Sequence, residues 1–267
     1  MRVSDFAKLH RQLAENYDAR NRQRLARADR EREIGGGGKF QHSLADRLLM
    51  LLIYYRTYVS QEFLSVLFDC NQSTIARNIN MLLPMLNGIF KVPERRIKIE
   101  SKEIKELFYD ATEQAVNRPR KGQRKYYSGK KKRHTIKHQT VVSSRVAADG
   151  KRKYKIEAVS RAFIGKTHDK KIYDKAKTHP PPQVEKIGDS AYLGTTMTTP
   201  HKNTKNHKLS KKQKQENRQL SKKRVFVEHA IGKMKIYKIA ASRFRNPRKN
   251  HTAIYKCLAG LTNLSYA

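Results

Sequence analysis

Three acidic side chains are candidates for chemistry because they occur in apolar surroundings, whereas most other acids lie in solvated runs. Asp110 ends the apolar run LFYD and Asp189 ends VEKIGD, so each is expected at the end of a strand. Glu228 lies in VFVEHAIGKM, on the flank of a helix's apolar arc. Packing this arc on a sheet would bring Glu228 to the sheet edge beside the two aspartates. The alternative is that each acid simply pairs with a surface lysine.

Converging carboxylates of this kind predict a metal site. Three of them cannot all stay ionised and unpaired in a partly buried pocket. Hard oxygen ligands at strand ends suit Mg²⁺ or Mn²⁺. Two such ions about 4 Å apart activate a nucleophile on one side of a phosphodiester and stabilise the leaving oxygen on the other. The pattern therefore predicts two divalent ions per active site, bound by Asp110, Asp189 and Glu228.

The charge of the chain favours a polyanionic partner. Its 267 residues include 59 Lys and Arg against 23 Asp and Glu, a formal net charge of +36. An excess of this size is typical of nucleic-acid binding. The cationic run Lys130, Lys131, Lys132 and Arg133 follows the strand of Asp110, and we expect it to form a loop that grips the DNA backbone beside the active site. The alternative is a solvated loop that only adds solubility.

Composition also argues against several classes of protein. The two cysteines, Cys70 and Cys257, match no zinc spacing and favour a reducing compartment without a disulfide framework. The longest apolar run, Leu48 to Tyr55, is too short to span a bilayer. No signal-peptide pattern is found at the N-terminus. We therefore expect a soluble, intracellular protein that binds nucleic acid.

Residues 1–40 are predicted to form a basic helical arm followed by a linker. Phe6, Leu9 and Leu13 are sparse apolar anchors in an otherwise polar, Arg-rich helix. The four glycines 35–38 favour a flexible joint. The alternative, a phosphate-binding loop, lacks both a preceding strand and a Ser or Thr after the lysine.

Residues 41–95 have the pattern of a helix-turn-helix domain. Ser43 and Ser60 occupy N-cap positions, a tight turn is expected at 69–70, and Asn71 is predicted to cap the third helix. In such domains the start of the recognition helix enters the major groove. The residues expected to face outward there and contact DNA are Gln72, Ser73, Thr74 and Arg77. The alternative is an ordinary three-helix bundle without groove contacts.

Residues 96–267 are predicted to form an α/β catalytic domain with a mixed, RNase-H-like sheet flanked by helices. Three strands, then helix, strand and helix, is the order expected of such a core. Asp169 is predicted to cap the first of these helices rather than to act in catalysis. The predicted strands are Ile104 to Asp110, His134 to Ser143, Lys155 to Phe163 and Val184 to Asp189, and the helices His168 to Lys177, Lys222 to Ile239 and Asn250 to Leu264.

Four motifs occur in order along the chain. They are DATE from Asp110, GDSAYLG from Gly188, the spacing of Arg224, Glu228 and Lys235, and the helical segment RLLMLLIYYRTYVSQEFLSVLFDCNQSTIARNI. They resemble the D-x-T-E, the G-D-x-x-Y, the R, three residues, E, six residues, K signature and the helix-turn-helix of bacterial insertion-sequence transposases of the DDE type. This broad group is related to eukaryotic Harbinger transposases. The resemblance extends over nearly the whole chain.

The resemblance implies a function and a set of roles. Asp110, Asp189 and Glu228 would be the metal-binding catalytic triad, and Arg224 and Lys235 would contact phosphates. The protein would bind the terminal inverted repeats of a mobile element as double-stranded DNA. It would cleave the phosphodiester bonds at the element's ends and join the 3′-OH ends to target DNA, as a homodimer or larger assembly. Related signatures often have Tyr where this chain has Ser, at position 221.

Two other functions fit part of the sequence. A catalytically inactive or domesticated helix-turn-helix regulator would bind DNA without cleaving it, but the intact set of three acids argues against it. A basic RNA- or ribosome-binding protein would explain the charge. It would not explain why scarce acids fall at strand ends and on an apolar helix.

Overall fold

The chain divides into two compact units, Met1–Lys91 and Val92–Ala267. The computed structural model describes residues 1–26, 28, 33, 40–95, 97, 104, 106–146, 152–178, 180, 183–204 and 208–266. The predicted glycine joint at 35–38 lies outside these residues.

The described part of the first unit is helical. Ser43 and Ser60 cap their helices by accepting hydrogen bonds from the backbone N–H groups of Asp46 and Phe63, as predicted. Asn71 occupies the third N-cap position, but its side chain makes no capping hydrogen bond, so that part of the prediction is wrong. The helices are α1 (Val3–Leu25), α2 (Leu44–Thr57), α3 (Gln61–Leu67) and α4 (Gln72–Phe90).

A buried arginine ties three of these helices together. Arg47 of α2 donates to Asn78 Oδ1 of α4 and to the Tyr17 hydroxyl of α1, each at 2.8 Å. Its guanidinium lies 3.9 Å from the centre of the Phe40 ring. Leu9 and Leu13 of α1 are fully buried, as expected of apolar anchors.

The second unit contains a mixed sheet with helices on both faces. Its strands are β1 (Glu106–Ala115), β2 (Tyr127–Ser128), β3 (Arg133–Val146), β4 (Arg152–Val159), β5 (Phe163–Ile164) and β6 (Glu185–Ile187). Its helices are α5 (Gln123–Tyr126), α6 (Asp169–Ala176), α7 (Lys211–Lys235), α8 (Lys238–Ala241) and α9 (His251–Tyr266), with 3-10 turns at Ser190–Tyr192 and Arg248–Asn250.

Strand β3 lies at the centre of this sheet. It pairs antiparallel with β1 on one side and with β2, β4 and β5 on the other, while β6 pairs parallel with the outer side of β1. Three long strands, then a helix, a short strand and a helix, follow in the predicted order. The prediction of a mixed α/β fold preceded by an all-helical region is confirmed.

Alternation along β1 assigns its side chains to two faces. Phe108 packs against Phe226 of α7, and Tyr109 packs edge-on against Tyr173 of α6. Even-numbered residues of the strand therefore face α7, and odd-numbered residues face α6.

A pair of buried histidines joins β3 to α9 on the α7 side of the sheet. His138 Nδ1 lies 2.7 Å from the Ser160 carbonyl oxygen, and His138 Nε2 lies 2.7 Å from His251 Nδ1. Burial lowers the pKa of His138 to about 4 and that of His251 to about 2, so both rings are neutral.

Several predicted element ends are wrong. Strand β1 does not end at Asp110, because its pairing with β3 continues to Ala115 opposite Thr135. Helix α7 begins at Lys211 rather than Lys222, because Ser210 and Gln213 form a capping box there. These corrections move Asp110 from the end of its strand to the middle.

Helix α6 begins one residue later than predicted, and its cap is also different. The N-cap is His168, whose side chain accepts from the Lys170 N–H, while Asp169 is the first helical residue. Asp169 instead forms an ion pair with Lys137 at 3.1 Å. Strand β4 ends at Val159, and Phe163 belongs to the separate short strand β5.

Two smaller findings concern membrane-spanning helices and cysteine pairing. In the part of the chain that the structure describes, no helix is both long and apolar enough to cross a membrane. Cys70 and Cys257 are both free thiols.

Candidate active site

Asp110 lies in the middle of β1, on the face that α7 covers. Its strand neighbours are Thr140 of β3 on one side and, at the other edge, the end of β6. The carboxylate is half-buried, and its Oδ1 accepts a hydrogen bond from the Ala111 N–H at 2.8 Å. This position offers an acidic group at the surface of the sheet, with limited access to water.

Asp189 lies beside Asp110 because of the strand register. Strands β1 and β6 run parallel with Phe108 opposite Ile187, so the residues two positions further along are Asp110 and Asp189. Asp189 follows β6 rather than ending it, and its Oδ1 accepts from the Ala191 N–H at 2.9 Å, which caps a 3-10 turn. The chain thus turns away at Asp189 and leaves its carboxylate at the strand end.

The glycine before Asp189 permits this turn. A Cβ atom at Gly188 would lie 2.8 Å from the Tyr192 ring and 2.9 Å from Met197 Sδ. Tyr192 is buried, and its hydroxyl accepts from Gln139 Nε2 at 3.1 Å. The Gly and Tyr of the GDSAYLG motif therefore pack together and fix the position of Asp189.

The electrostatics of Asp110 reflect a crowded acidic site. Burial raises the pKa of Asp110 to about 6; the Arg224 guanidinium opposes the rise, while repulsion by Asp189 adds to it. The Ala111 N–H lowers this pKa and Asp169 raises it, each by a smaller amount. Because the charged form of Asp110 is disfavoured, any cation that approaches the carboxylate stabilises that form.

Helix α7 supplies the remaining predicted residues. Val227, Ala230, Ile231 and Met234 are buried, which confirms the predicted apolar arc. Glu228 is exposed on the flank of that arc. Arg224, one turn earlier, is half-buried, and its Nε has no hydrogen-bond partner among the atoms that the structure describes. The guanidinium is thus held near Asp110 by charge, with donor capacity to spare.

The carboxylates fit a hard divalent cation by type. Asp110 and Asp189 present oxygen ligands that repel each other, as Mg²⁺ or Mn²⁺ sites commonly do before binding. Among the described residues, however, no three His, Cys, Asp or Glu side chains form a group that could hold a metal ion. The pair is therefore present, and the three-carboxylate site with Glu228 stays a prediction.

The predicted basic loop is the tip of a hairpin between β2 and β3, not a direct link from β1 to β3. Its four turn residues, 129–132, follow the short helix α5, and Lys132 adopts a left-handed φ of 51°. All four cations, Lys130, Lys131, Lys132 and Arg133, are exposed.

Lys235, at the end of α7, lies within electrostatic range of both the hairpin and Asp110. Partial burial of the otherwise exposed Lys235 side chain lowers its pKa, repulsion by Lys131 lowers it further, and attraction by Asp110 opposes both. The cationic turn, Lys235 and Asp110 thus lie within electrostatic reach of one another.

The predicted recognition residues lie at the start of α4. Gln72, Ser73 and Arg77 are exposed, Thr74 is half-buried, and Ile75 is buried against the rest of the unit. Arg77 donates to Ser73 Oγ at 2.8 Å, which holds the guanidinium along the exposed face. The arrangement presents polar, base-reading side chain types to solvent.

Sequence reasoning missed one buried cluster near the site. Glu113, Lys137 and Asp169 form a chain of ion pairs with N–O distances of 3.1 Å. Glu113 belongs to the DATE motif, so the motif itself was the only available signal. Its partners lie on other elements and could not be read from local pattern.

A mixed sheet with two neighbouring carboxylates, one within β1 and one just after β6, in a chain with a helix-turn-helix pattern, defines a nuclease-type enzyme. Residues 109–263 match the model of a family described as DDE superfamily endonuclease. This match spans more than half of the sequence, and the chain belongs to that family. Residues 43–91 match the model of the helix-turn-helix of DDE superfamily endonucleases, so the predicted domain type is confirmed. Enzymes of this superfamily generally use divalent metal ions.

One relative is similar over most of its length. It is a probable transposase for insertion sequence element IS702 from Microchaete diplosiphon. The two sequences are 27% identical over 255 residues, which cover 91% of this chain and 88% of the relative. No solved structure matches the chain.

Proposed function

We propose that the protein is a DNA transposase. It binds the terminal inverted repeats of a mobile element, cleaves the phosphodiester bonds at the element's ends and joins the 3′-OH ends to target DNA. The observation that carries this proposal is the side-by-side pair Asp110 and Asp189 beside Arg224, within a DDE-family domain that follows a helix-turn-helix. The similarity to a probable insertion-sequence transposase supports the same function.

Recognition of the repeats falls to the start of α4. Gln72, Ser73, Thr74 and Arg77 supply donors and acceptors that can read base edges in the major groove. We assign residues 41–95 to this DNA-binding domain, residues 96–267 to the catalytic domain and residues 1–40 to a basic arm with its linker.

The chemistry falls to the acidic site. Asp110, Asp189 and Glu228 would hold two Mg²⁺ or Mn²⁺ ions, which when bound activate the attacking oxygen and stabilise the leaving oxygen. Around them, the chain's own cations orient the DNA. Arg224 has a donor, Nε, that is free to bind a phosphate next to Asp110. The ammonium group of Lys235 has a pKa that is lowered first by partial burial and then by repulsion from Lys131, so a bound phosphate would stabilise its charged form. Both side chains therefore favour a phosphate between them.

The partner is double-stranded DNA, and the assembly is a homodimer or larger, since an element has two ends to bring together. We place the protein in the bacterial cytoplasm, associated with the nucleoid.

The proposal predicts separate effects on binding and cleavage. Asp110→Ala, Asp189→Ala and Glu228→Ala should each lower cleavage of a labelled repeat-end duplex below detection with Mg²⁺ or Mn²⁺, because each removes a metal ligand. Binding in a gel-shift assay should stay near wild type. Glu216→Ala is the matched control, since Glu216 is an exposed glutamate on the same helix as Glu228.

The exposed position of Glu228 favours a second candidate, a catalytically inactive or domesticated helix-turn-helix regulator. In that case the wild-type protein binds the repeats but cleaves nothing with either metal ion. Wild-type cleavage that survives Glu228→Ala would instead remove Glu228 from the triad while leaving the transposase function in place.

A further inference from the structure

Four arginines that the proposed function does not use come from two short segments of similar composition. The sequence NRPR, at 117–120, follows β1, and the sequence RNPR, at 245–248, lies just before α9. All four arginines are exposed. No Asp or Glu occurs at positions 114–148 or after position 228, so neither segment has a neighbouring acid along the chain to balance its charge.

The two segments meet at the end of β1. The Phe244 N–H donates to the Ala115 carbonyl oxygen at 2.8 Å. Gln114 Nε2 donates to the carbonyl oxygens of Ile239 and Ser242 at 2.6 and 2.7 Å, so the chain leading to the second segment is held against β1. Residues 116–120 and 244–248 line an open cleft of about 800 Å³, which we call the arginine cleft.

Helix α5 supports one arginine from each segment. Arg118 Nε donates to Gln123 Oε1 at 2.8 Å, and the guanidinium of Arg248 lies 4.8 Å from the centre of the Tyr126 ring. Since the bond to Gln123 engages Nε, the terminal nitrogens of Arg118 can still bind an anion. Each segment also contains a proline, which restricts its backbone, so less conformational freedom is lost when a ligand binds.

The lining of the arginine cleft fits a row of phosphate groups. Four of its ten residues are arginine, two are asparagine, and none is acidic or lysine. A guanidinium presents a planar fork of N–H donors that binds phosphate oxygens in pairs, which an ammonium cannot do. A nucleic-acid backbone supplies several such phosphates at regular spacing.

The arginine cleft lies within reach of a duplex bound at the acidic site. It starts at Val116, six residues beyond Asp110, which is roughly 20 Å along an extended strand. The Phe244 ring lies 4.4 Å from that of His251, which is on the α7 side of the sheet, as Asp110 is. Since B-DNA rises about 3.4 Å per base pair, 20 Å corresponds to about six base pairs.

We propose that the arginine cleft binds the phosphate backbone of double-stranded DNA about six base pairs from the bond that is cleaved at Asp110. This inference rests on the proposed function. It gives the catalytic domain a DNA contact that is separate from the start of α4 and from the basic turn. The end of the element and the target DNA present the same phosphates, so the tests distinguish between them.

The first test measures the salt dependence of binding. Arg118→Gln combined with Arg248→Gln should flatten the slope of log K against log salt on a random duplex by roughly 1–2 units, because two phosphate contacts are lost. The matched control combines Lys212→Gln and Lys214→Gln, two exposed lysines at the start of α7, and lowers the net charge by the same amount. The control should keep a slope close to wild type, and equal flattening in both variants would overturn the proposal.

The second test locates the bound phosphates. A single methylphosphonate, which removes one backbone charge, is placed at successive positions of a repeat-end duplex and of a separate target duplex. In the wild-type protein, replacement about five to seven nucleotides from the cleaved or joined bond should weaken binding. The same replacement should add little to the loss in the arginine variant, because the contact is already absent there.

The DNA that shows this coupling identifies the source of the phosphates. Coupling in the repeat-end duplex assigns the arginine cleft to the end of the element, and coupling in the target duplex assigns it to target DNA. If the methylphosphonate and arginine losses are additive at every position of both duplexes, the proposal is wrong.

The two levels of inference fail differently. A wild-type protein that cleaves repeat ends, with equal salt slopes in the arginine and lysine variants, would overturn only the arginine cleft. A protein that loses slope in the arginine variant alone, but cleaves no DNA with Mg²⁺ or Mn²⁺, would overturn the proposed function and leave the cleft as a phosphate-binding site.

Discussion

At the scale of single residues, the site is organised by the cost of ionising Asp110. Its pKa is raised to about 6, first by burial and then by Asp189, against the attraction of Arg224. The neutral form is therefore favoured in the folded state and the charged form in the unfolded state. Between pH 3.8 and about 6 the folded protein binds more protons, so its stability falls as pH rises through this window.

This sign gives a stability prediction. Asp110→Asn removes the titrating group and should raise the free energy of unfolding at pH 7.5, without divalent ions, by up to roughly 3 kcal/mol. The gain should shrink as pH falls from 6 toward 4. Urea unfolding at a series of pH values measures it.

Mg²⁺ provides the complementary measurement. It should stabilise the wild-type protein at pH 7.5 and have little effect on Asp110→Asn, because the ion compensates the repulsion that the substitution has already removed. If Asp110→Asn raised the free energy of unfolding by the same amount at every pH, ionisation of Asp110 would carry no energetic cost in the folded protein.

At the scale of elements, α4 combines a structural and a recognition face. Ile75 and Ile79 are buried, while Gln72, Ser73 and Arg77 are exposed. Because residues at i, i+3 and i+4 share a face, the buried isoleucines fix which side of the helix remains outward.

Recognition can be tested on this helix. Arg77→Ala and Gln72→Ala should weaken binding to the repeat sequence by about 1–3 kcal/mol for each good base contact. Binding to random DNA should change less. Arg56→Ala, an exposed arginine at the end of α2, is the control and should affect both DNAs alike. Equal losses on both DNAs in a competition assay for Arg77→Ala would reduce this helix to a backbone contact.

The start of a helix could be predicted where it depends only on neighbouring residues in the sequence. Ser43 and Ser60 cap α2 and α3 because each needs only a backbone N–H three residues ahead. The end of β1 could not be predicted, because residues beyond Asp110 stay extended only through pairing with β3. The prediction that Asp169 caps α6 was wrong for a similar reason, because its carboxylate pairs with Lys137, which lies on a different element.

The same division holds within the candidate site. Asp110, Asp189 and Arg224 are brought close together by strand register and helix packing, and all three belong to motifs that local sequence pattern singles out. The ion pair of Glu113 with Lys137 and the contact of His138 with His251 depend on long-range neighbours that no single-sequence pattern specifies.

At the scale of the whole molecule, the net charge of +36 makes salt the main variable in binding. Each phosphate neutralised releases condensed counterion, so log K falls with log salt by about 0.9 per contact. The net charge alone does not show which cationic side chains contact DNA. Removing the same number of positive charges at two different sites and comparing the salt dependence of binding does show it.

Replacing Lys130, Lys131, Lys132 and Arg133 with Gln should flatten the salt slope by up to roughly 3–4 units and weaken repeat and random DNA alike. The control replaces Lys166, Lys171, Lys175 and Lys177, four exposed lysines near α6, with Gln. Both variants lower the net charge by the same amount, from +36 to +32 (36 − 4). An unchanged slope in the hairpin variant, measured by binding isotherms across salt concentrations, would place that turn away from DNA.

The odd spacing of Asp110 and Glu113 has a consequence for the gene. Because the two acids are three positions apart on one strand, pleating puts the first toward α7 and the second toward α6. A single inserted or deleted codon between them would exchange the faces of every later β1 side chain and place both acids on the same side. Substitution of the two middle letters leaves both faces unchanged, whereas an in-frame indel there would turn Glu113 away from Lys137, its ion-pair partner on the α6 face.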